Sequence, residues 1–232
     1  MLTCTFPSQW KDANVTPIHK SGSQHNINNY RPISLLSIAS KILERFVHST
    51  LLQECNNLAI FSDTQHGFLP GRSCLTNLLS TYNDLTTYVD GGIPCDLIFL
   101  DFSKAFDSVS HVNLINKLVS LNFSPSLVSW IQSYLYRRRQ RICLRGSLSN
   151  WTAVTSGVPQ GSALGPLLFN IYMSDLSNKI SSNHTSYADD LKLFSPCFLS
   201  SSLQSDLDTI ATWSAENDLY LNPSIQMCRT PS

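Results

Sequence analysis

The chain has 232 residues, of which 42% are hydrophobic and 14% charged. That length and composition allow one large domain or two small ones around a real core, and they exclude the low-hydrophobicity, high-charge class of disordered chains. Lys and Arg (16) balance Asp and Glu (16), so bulk charge argues mildly against a nucleic-acid partner, although Arg137, Arg138, Arg139, Arg141 and Arg145 crowd into residues 137–145.

Apolar residues at 35, 36, 38, 39, 42, 43, 46, 47 and 51 fall at helical spacing and predict a helix over about 34–53. A second helix is predicted over 74–89, with Leu75, Leu78, Leu79, Tyr82 and Leu85 on its inward face and Gly91-Gly92 as its stop. Residues 95–101 read as a short apolar strand buried on both faces. Helical patterns follow at 111–121 and 125–137, the second opening on Pro125, whose fixed φ suits a first helical position. Residues 140–145 and 151–155 read as strands joined through a turn at Gly146, and 156–161 is loop chemistry leading into an apolar helix at 163–176. Residues 184–194 predict two strands around Asp189-Asp190. A last amphipathic helix covers 200–218, with Leu203, Leu207, Ile210 and Ala211 inward. The mixture is α+β, a small sheet backed by helices, with no internal repeat and no low-complexity linker.

Cysteines stand at 4, 55, 74, 95, 143, 197 and 228, an odd number without CxxC or Cys/His ligand spacing. This pattern predicts a reduced, intracellular chain without a zinc site. No signal-peptide pattern and no apolar run of membrane-spanning length is present, so no membrane partner is expected. Sequons at Asn14, Asn122, Asn150 and Asn183 are then chance matches. The first and last residues carry no element of their own, and the chain reads as a fragment of a larger protein. Nothing in it points to a protein partner.

Asp101 closes an apolar strand, where its side chain is fixed in direction and faces a rim. Asp189 and Asp190 are adjacent at the tip of an apolar hairpin, where like charges repel unless a cation lies between them. Magnesium, which takes hard oxygen ligands and bridges carboxylates to substrate phosphates, is such a cation. Two ions about 3.5–4 Å apart would activate an attacking hydroxyl and neutralise a leaving group. A bare Asp-Asp pair is more often a structural turn, since Asp favours turns.

Three segments decide between these readings. Phe99-Leu100-Asp101-Phe102-Ser103-Lys104-Ala105-Phe106-Asp107, Ser156-Gly157-Val158-Pro159-Gln160-Gly161-Ser162-Ala163-Leu164-Gly165-Pro166-Leu167-Leu168-Phe169 and Tyr187-Ala188-Asp189-Asp190 resemble motifs A, B and C of reverse transcriptases. Their wording is closest to the non-LTR (LINE-like) retrotransposon branch. Asn29-Tyr30-Arg31-Pro32-Ile33-Ser34-Leu35 and Gln65-His66-Gly67-Phe68-Leu69-Pro70-Gly71-Arg72-Ser73 resemble that branch's fingers motifs. Five motifs in order cover nearly the whole chain.

The resemblance implies a right-hand polymerase: partial fingers over 1–94, palm over 95–232 with fingers-proximal helices at about 111–137, and neither thumb nor endonuclease. It implies a three- or four-stranded antiparallel palm sheet with Asp101 beside the Asp189-Asp190 hairpin. The implied reaction joins dNTP to a DNA primer on an RNA template. Asp101, Asp189, Asp190 and the Phe102 carbonyl would hold two Mg²⁺ ions, with Mn²⁺ as a substitute. Phe106 resembles the ring that excludes a 2′-hydroxyl, with core packing as the other reading. Lys20 and Arg31 match cations that grip the triphosphate, and Gln160 and Gly161 match the loop lining the nascent base pair, against a simple turn before a helix. Arg72, Tyr187, Arg137, Arg138 and Arg139 are candidate template–primer contacts, with solvated helix-end charge as the alternative for the arginine run. Asp107 reads as an N-cap or local partner. One departure stands out: the family's lysine after Asn-Pro-Ser is Ile225 here, which cannot donate a proton. A catalytically inactive remnant is therefore the competing reading, and a nuclease using the same acids is a weaker one. Insertion into a chromosomal target would imply a nuclear location.

Overall fold

The structure is a computed structural model that describes residues 4–223 and 226–230. In chain order it holds β1 (Asp12–His19), β2 (Tyr30–Leu35), α1 (Ile38–Asn57), α2 (Cys74–Asp90), β3 (Cys95–Leu100), α3 (Ala105–Ser108), α4 (His111–Ser120), α5 (Pro125–Leu135), β4 (Arg139–Leu144), β5 (Ser147–Leu148), β6 (Thr152–Ala153), α6 (Gly165–Met173), β7 (Asn183–Tyr187), β8 (Asp190–Pro196), α7 (Ser200–Glu216) and β9 (Gln226–Arg229). The chain divides into two compact units, each discontinuous in sequence: Met1–Leu58 with Val109–Leu168, and Ala59–Ser108 with Phe169–Ser232. The sequence expectation drew one cut at residue 94 instead.

In the first unit, β2, β1, β4 and β5 form one sheet in that order, with β6 also on β4. β1 runs antiparallel to β2 and parallel to β4. The hairpin of β1 and β2 was not anticipated, and it claims Ser34 and Leu35 from the expected first helix. Pro17 faces Pro32 in the register, so neither can extend a helix or donate to the ladder. The helix waits for Ser37, whose side chain caps it by accepting the Ser40 N–H. Pro125 opens α5 as expected, and the cap there is remote: Glu54 on α1 accepts from the Ser124 N–H at 3.0 Å and its hydroxyl at 2.7 Å. Carboxylate charge at a helix N-terminus is favourable. Phe6 packs edge-on against Trp130 and Tyr134 at 5.6 and 5.0 Å, closing the core over Leu114, Leu118 and Ile131.

The second unit is built on a four-stranded antiparallel sheet ordered β7-β8-β3-β9, where three or four strands were expected. β3 lies between β8 and β9, with Cys95, Ile98 and Leu100 buried. α7 covers the sheet with Leu203, Ile210 and Trp213, while Ala211, expected inward, is exposed. Asp206, buried on the same helix, accepts the Ser181 and Ser182 N–H groups at 3.0 and 2.8 Å.

α2 overturns its predicted orientation. Leu75, Leu78, Leu79 and Tyr82 are all more than half exposed, whereas Asn77 and Thr81 are buried. The helix meets the polar strand β7 through hydrogen bonds: Asn77 Nδ2 donates to the Ser186 carbonyl, and the Thr81 hydroxyl meets that of Thr185 at 3.0 Å. All seven cysteines carry free thiols. Among the described residues no helix is long and apolar enough to cross a membrane.

Candidate active site

Three acidic residues reach one rim of the second unit. β3 ends at Leu100, which faces Leu191 across the ladder, so the next step sets Asp101 opposite Asp190. Tyr187 pairs with Asp190 and leaves Ala188 and Asp189 as the two turn residues. Ala188 takes a left-handed φ of +57°, which two-residue hairpin turns demand at their first position and normally fill with glycine. Asp101 is tied down from the other side: the Asn222 N–H donates to its carbonyl at 2.7 Å and Asn222 Nδ2 to its carboxylate at 3.3 Å.

A cleft of about 410 Å³ opens there, lined among others by Phe99, Asp101, Asp190, Lys192, Asn222 and Gln226. No thiol or imidazole lines it, and its carboxylate and amide oxygens suit a hard divalent cation. Among the described residues no three His, Cys, Asp or Glu side chains form a ready-made metal cluster. Asp101 and Asp190 therefore share the cleft while Asp189 stands in the turn beside it. Phe102 bridges Leu221 as a pair whose neighbours exchange the hydrogen bonds, Ser103 N–H to Tyr220 and Asn222 N–H to Asp101. That pattern turns the Phe102 carbonyl away from Leu221.

Phe106 lies on α3, stacked on Phe169 at 4.5 Å and edge-on to Phe68 at 6.0 Å. It is half-buried, so both readings of it stand: it packs, and part of it faces outward. Asp107 lies inside α3 rather than at its cap, because Lys104, not Asp107, accepts the first helical N–H groups. Tyr187 lies 6.2 Å from Phe68. A hydrogen bond to the Cys74 sulfur, with burial, holds its hydroxyl above the usual phenol range.

The reverse transcriptase (RNA-dependent DNA polymerase) profile matches residues 18–225. The chain belongs to the reverse transcriptase family. It is 35% identical to the probable RNA-directed DNA polymerase from transposon BS of Drosophila melanogaster, covering 97% of this chain and 26% of that protein. It is 30% identical to the RNA-directed DNA polymerase from mobile element jockey of Drosophila melanogaster, over 94% of this chain and 25% of that one. The chain thus spans about a quarter of the length of these relatives. Apo telomerase from Candida tropicalis, truncated from its C-terminal domain, superposes with a TM-score of 0.70 over 98% of this chain and 52% of that chain, at 12% identity. At that identity the likeness shows the fold, a fingers-and-palm polymerase.

Other residues that the resemblance singled out fall in the first unit. The β1–β2 register pairs Ile18 with Arg31, and the Lys20 N–H donates to the Asn29 carbonyl. Lys20 and Arg31 therefore share one face near the hairpin tip, both exposed. Gln160 and Gly161 adjoin the same hairpin, since the Ser34 N–H donates to the Gln160 carbonyl at 2.7 Å. Gly161 has φ +103°, and a Cβ there would lie 2.9 Å from the Ser34 carbonyl, so the loop needs its glycine.

The arginine run is not a uniform basic patch. Arg138 is buried, over the rings of Tyr134 and Phe6, and donates to the Tyr134 carbonyl. It is corrected from a template contact to a core residue. Arg139 is paired with Asp12 and its guanidinium lies 5.3 Å from the Trp151 ring centroid. Arg137 is exposed. Arg72 is also committed: Nη1 donates to the carbonyls of Ser62, Asp63 and Gln65, and Nη2 to the Asp63 carboxylate. These bonds close the loop over 62–72, and the side chain keeps partial exposure. Ile225 lies outside the described residues.

Sequence reasoning missed two polar anchors. Glu44, fully buried on α1, accepts from the Ser40 hydroxyl at 2.7 Å and the Ala163 N–H at 2.8 Å, fixing the loop that carries Gln160 and Gly161. Its signal was an acid three and seven residues before Val47 and Leu51, on their face of the helix. The second anchor is Gln65.

Proposed function

We propose that this chain is the fingers–palm part of an RNA-directed DNA polymerase that adds deoxynucleotides to a primer 3′-hydroxyl on an RNA template. The observation that carries the reading is the convergence of Asp101 and Asp190 at facing positions of one cleft, with Asp189 in the adjoining turn. Asp101, Asp189, Asp190 and the Phe102 carbonyl would hold two magnesium ions, which when bound supply charge to acidify the primer hydroxyl and neutralise the departing pyrophosphate. The chain's own part is to aim these oxygens from a strand end and a two-residue turn. Phe106, braced by Phe169 and Phe68, presents a rigid ring against a ribose 2′-hydroxyl. Lys20 and Arg31, exposed on one hairpin face, bind triphosphate oxygens as a point charge and a fork.

Primer extension on poly(rA)/oligo(dT) with Mg²⁺ or Mn²⁺ tests the reading, with the full-length protein. Incorporation that disappears in Asp189→Asn supports it. Incorporation that survives the substitution rules out the assigned site, and none in the unaltered protein rules out the activity.

A further inference from the structure

Ala188 holds a left-handed conformation that favours glycine, inside a turn that must keep two like charges in place. Such a residue persists only where its surroundings over-determine it. The surroundings here are the segment over 64–67. The His66 N–H donates to the Ser186 carbonyl and the Ser186 N–H to the Thr64 carbonyl, both at 2.8 Å, so Gln65 bridges Ser186 in parallel beside β7. From this position the Gln65 carboxamide reaches the turn. Its Oε1 accepts the Gly67 N–H at 2.6 Å and the Ala188 N–H at 3.0 Å, and its Nε2 reaches the Ala188 carbonyl at 3.5 Å.

The support has its own support. Asn170 on α6 donates to the Gly67 carbonyl at 2.7 Å. Gly67 lies so close to the turn that a Cβ would stand 2.4 Å from the Ala188 nitrogen. Gln65, Asn170 and Ala188 are 7%, 2% and 3% exposed. Asn170 Oδ1 is buried without a hydrogen-bond partner, and a void of about 20 Å³ adjoins it, lined by Gln65, Asn170 and several serines together with apolar side chains such as Phe61 and Leu191. That volume admits one water molecule.

We propose that Gln65 is a positioning residue of the polymerase centre: its carboxamide locks Ala188 and so fixes where the Asp189 and Asp190 carboxylates are held. An amide suits the role because it accepts two N–H groups and still donates to the carbonyl of the residue it holds. The catalytic consequence rests on the proposed function; the structural claim does not.

The experiment compares full-length wild type with Gln65→Ala and Gln65→Glu, which keeps the accepting oxygens. Three measurements are made: hydrogen exchange of the amides over 186–191, Mn²⁺ affinity by electron paramagnetic resonance, and incorporation kinetics. In Gln65→Ala the Ala188 amide is expected to exchange at least about tenfold faster and Mn²⁺ to bind about tenfold more weakly, the effect typical of residues that orient metal ligands. In incorporation kinetics kcat falls while KM for dNTP stays put. Gln65→Glu is expected to keep most of the protection of Ala188. Unchanged exchange and Mn²⁺ affinity in Gln65→Ala would overturn the proposal. Should Gln65→Ala not fold, loss of Ala188 protection in Gln65→Glu would overturn it equally. A wild type that incorporates nothing sinks the polymerase reading alone, since exchange and Mn²⁺ binding still decide the role of Gln65.

Discussion

In Gly67→Ala the new Cβ would lie 2.4 Å from the Ala188 nitrogen, 3.1 Å from its Cα and 3.1 Å from Gln65 Oε1. Ordinary contact begins near 3.4 Å, so the two backbones must part by about 1 Å, the difference between 3.4 and 2.4. That displacement takes the Ala188 N–H, 3.0 Å from Gln65 Oε1, beyond hydrogen-bond range. The Gly67 N–H, bonded to the same oxygen at 2.6 Å, is strained with it. Leaving a buried N–H unsatisfied costs about 1–3 kcal/mol and forcing an extra methyl into a packed contact about 1–3 kcal/mol more, so the substitution should cost about 2–6 kcal/mol. Gly67 has no left-handed φ to give up, so the whole effect is steric. Gly71→Ala is the contrast. It meets nothing within 4 Å but sits at φ +73°, where the left-handed penalty of about 1–2 kcal/mol is partly offset by a stiffer unfolded chain. Urea denaturation at constant slope measures both. A Gly67→Ala protein no less stable than Gly71→Ala would refute the close approach.

The inverted face of α2 gives a second test. Asn77→Ala removes the partner of the Lys192 ammonium, held at 2.6 Å, and a second donor to the Ser186 carbonyl beside the His66 N–H, and should cost about 1–3 kcal/mol, whereas Leu78→Lys should stay within about 0.5 kcal/mol; denaturation midpoints in the opposite order would contradict the orientation. A third concerns acid. Burial holds the His111 pKa below its ordinary value, as it does for His48 and His66. With the folded pKa lowered, the unfolded chain takes the proton first, so stability is full above pH about 6.5 and falls as pH drops toward the folded value. His111→Asn should flatten that decline in urea midpoints between about pH 7 and pH 5, and an unchanged slope would exclude His111 from it.

Much of the palm could be read in advance because its signals are local. β3 and β8 are short apolar runs, and an acid at a strand end next to a two-residue hairpin needs only those elements to converge. The strands β1 and β2 escaped because Pro17 and Pro32 interrupt any periodicity, and their pairing with each other and with β4 is a long-range fact. The leucines of α2 gave a strong signal that misled. Burial is set by what the neighbouring strand offers, and β7 offers Thr185 and the Ser186 carbonyl, which reward Asn77 and Thr81. Arg138 misled for the opposite reason: a cation in a run reads as solvated, yet two aromatic faces take this one into the core.

The division within the site follows from the same physics. The candidate metal-binding aspartates stand out because Asp101 and Asp189-Asp190 fall inside motif-like segments, whereas a bare Asp-Asp pair would pass for a turn. The residues that hold them are Gln, Gly and Asn, types that populate turns everywhere and therefore carry no distinctive mark. What could have exposed Gln65 is the misfit at Ala188. Tyr-Ala-Asp-Asp must turn within two residues, yet it contains no glycine to take the positive φ. A turn forced through alanine has to be held from outside, by a group that can bond both the N–H and the carbonyl of that alanine. Gly67, with no Cβ to intervene, lets the segment bearing Gln65 come close enough to do so.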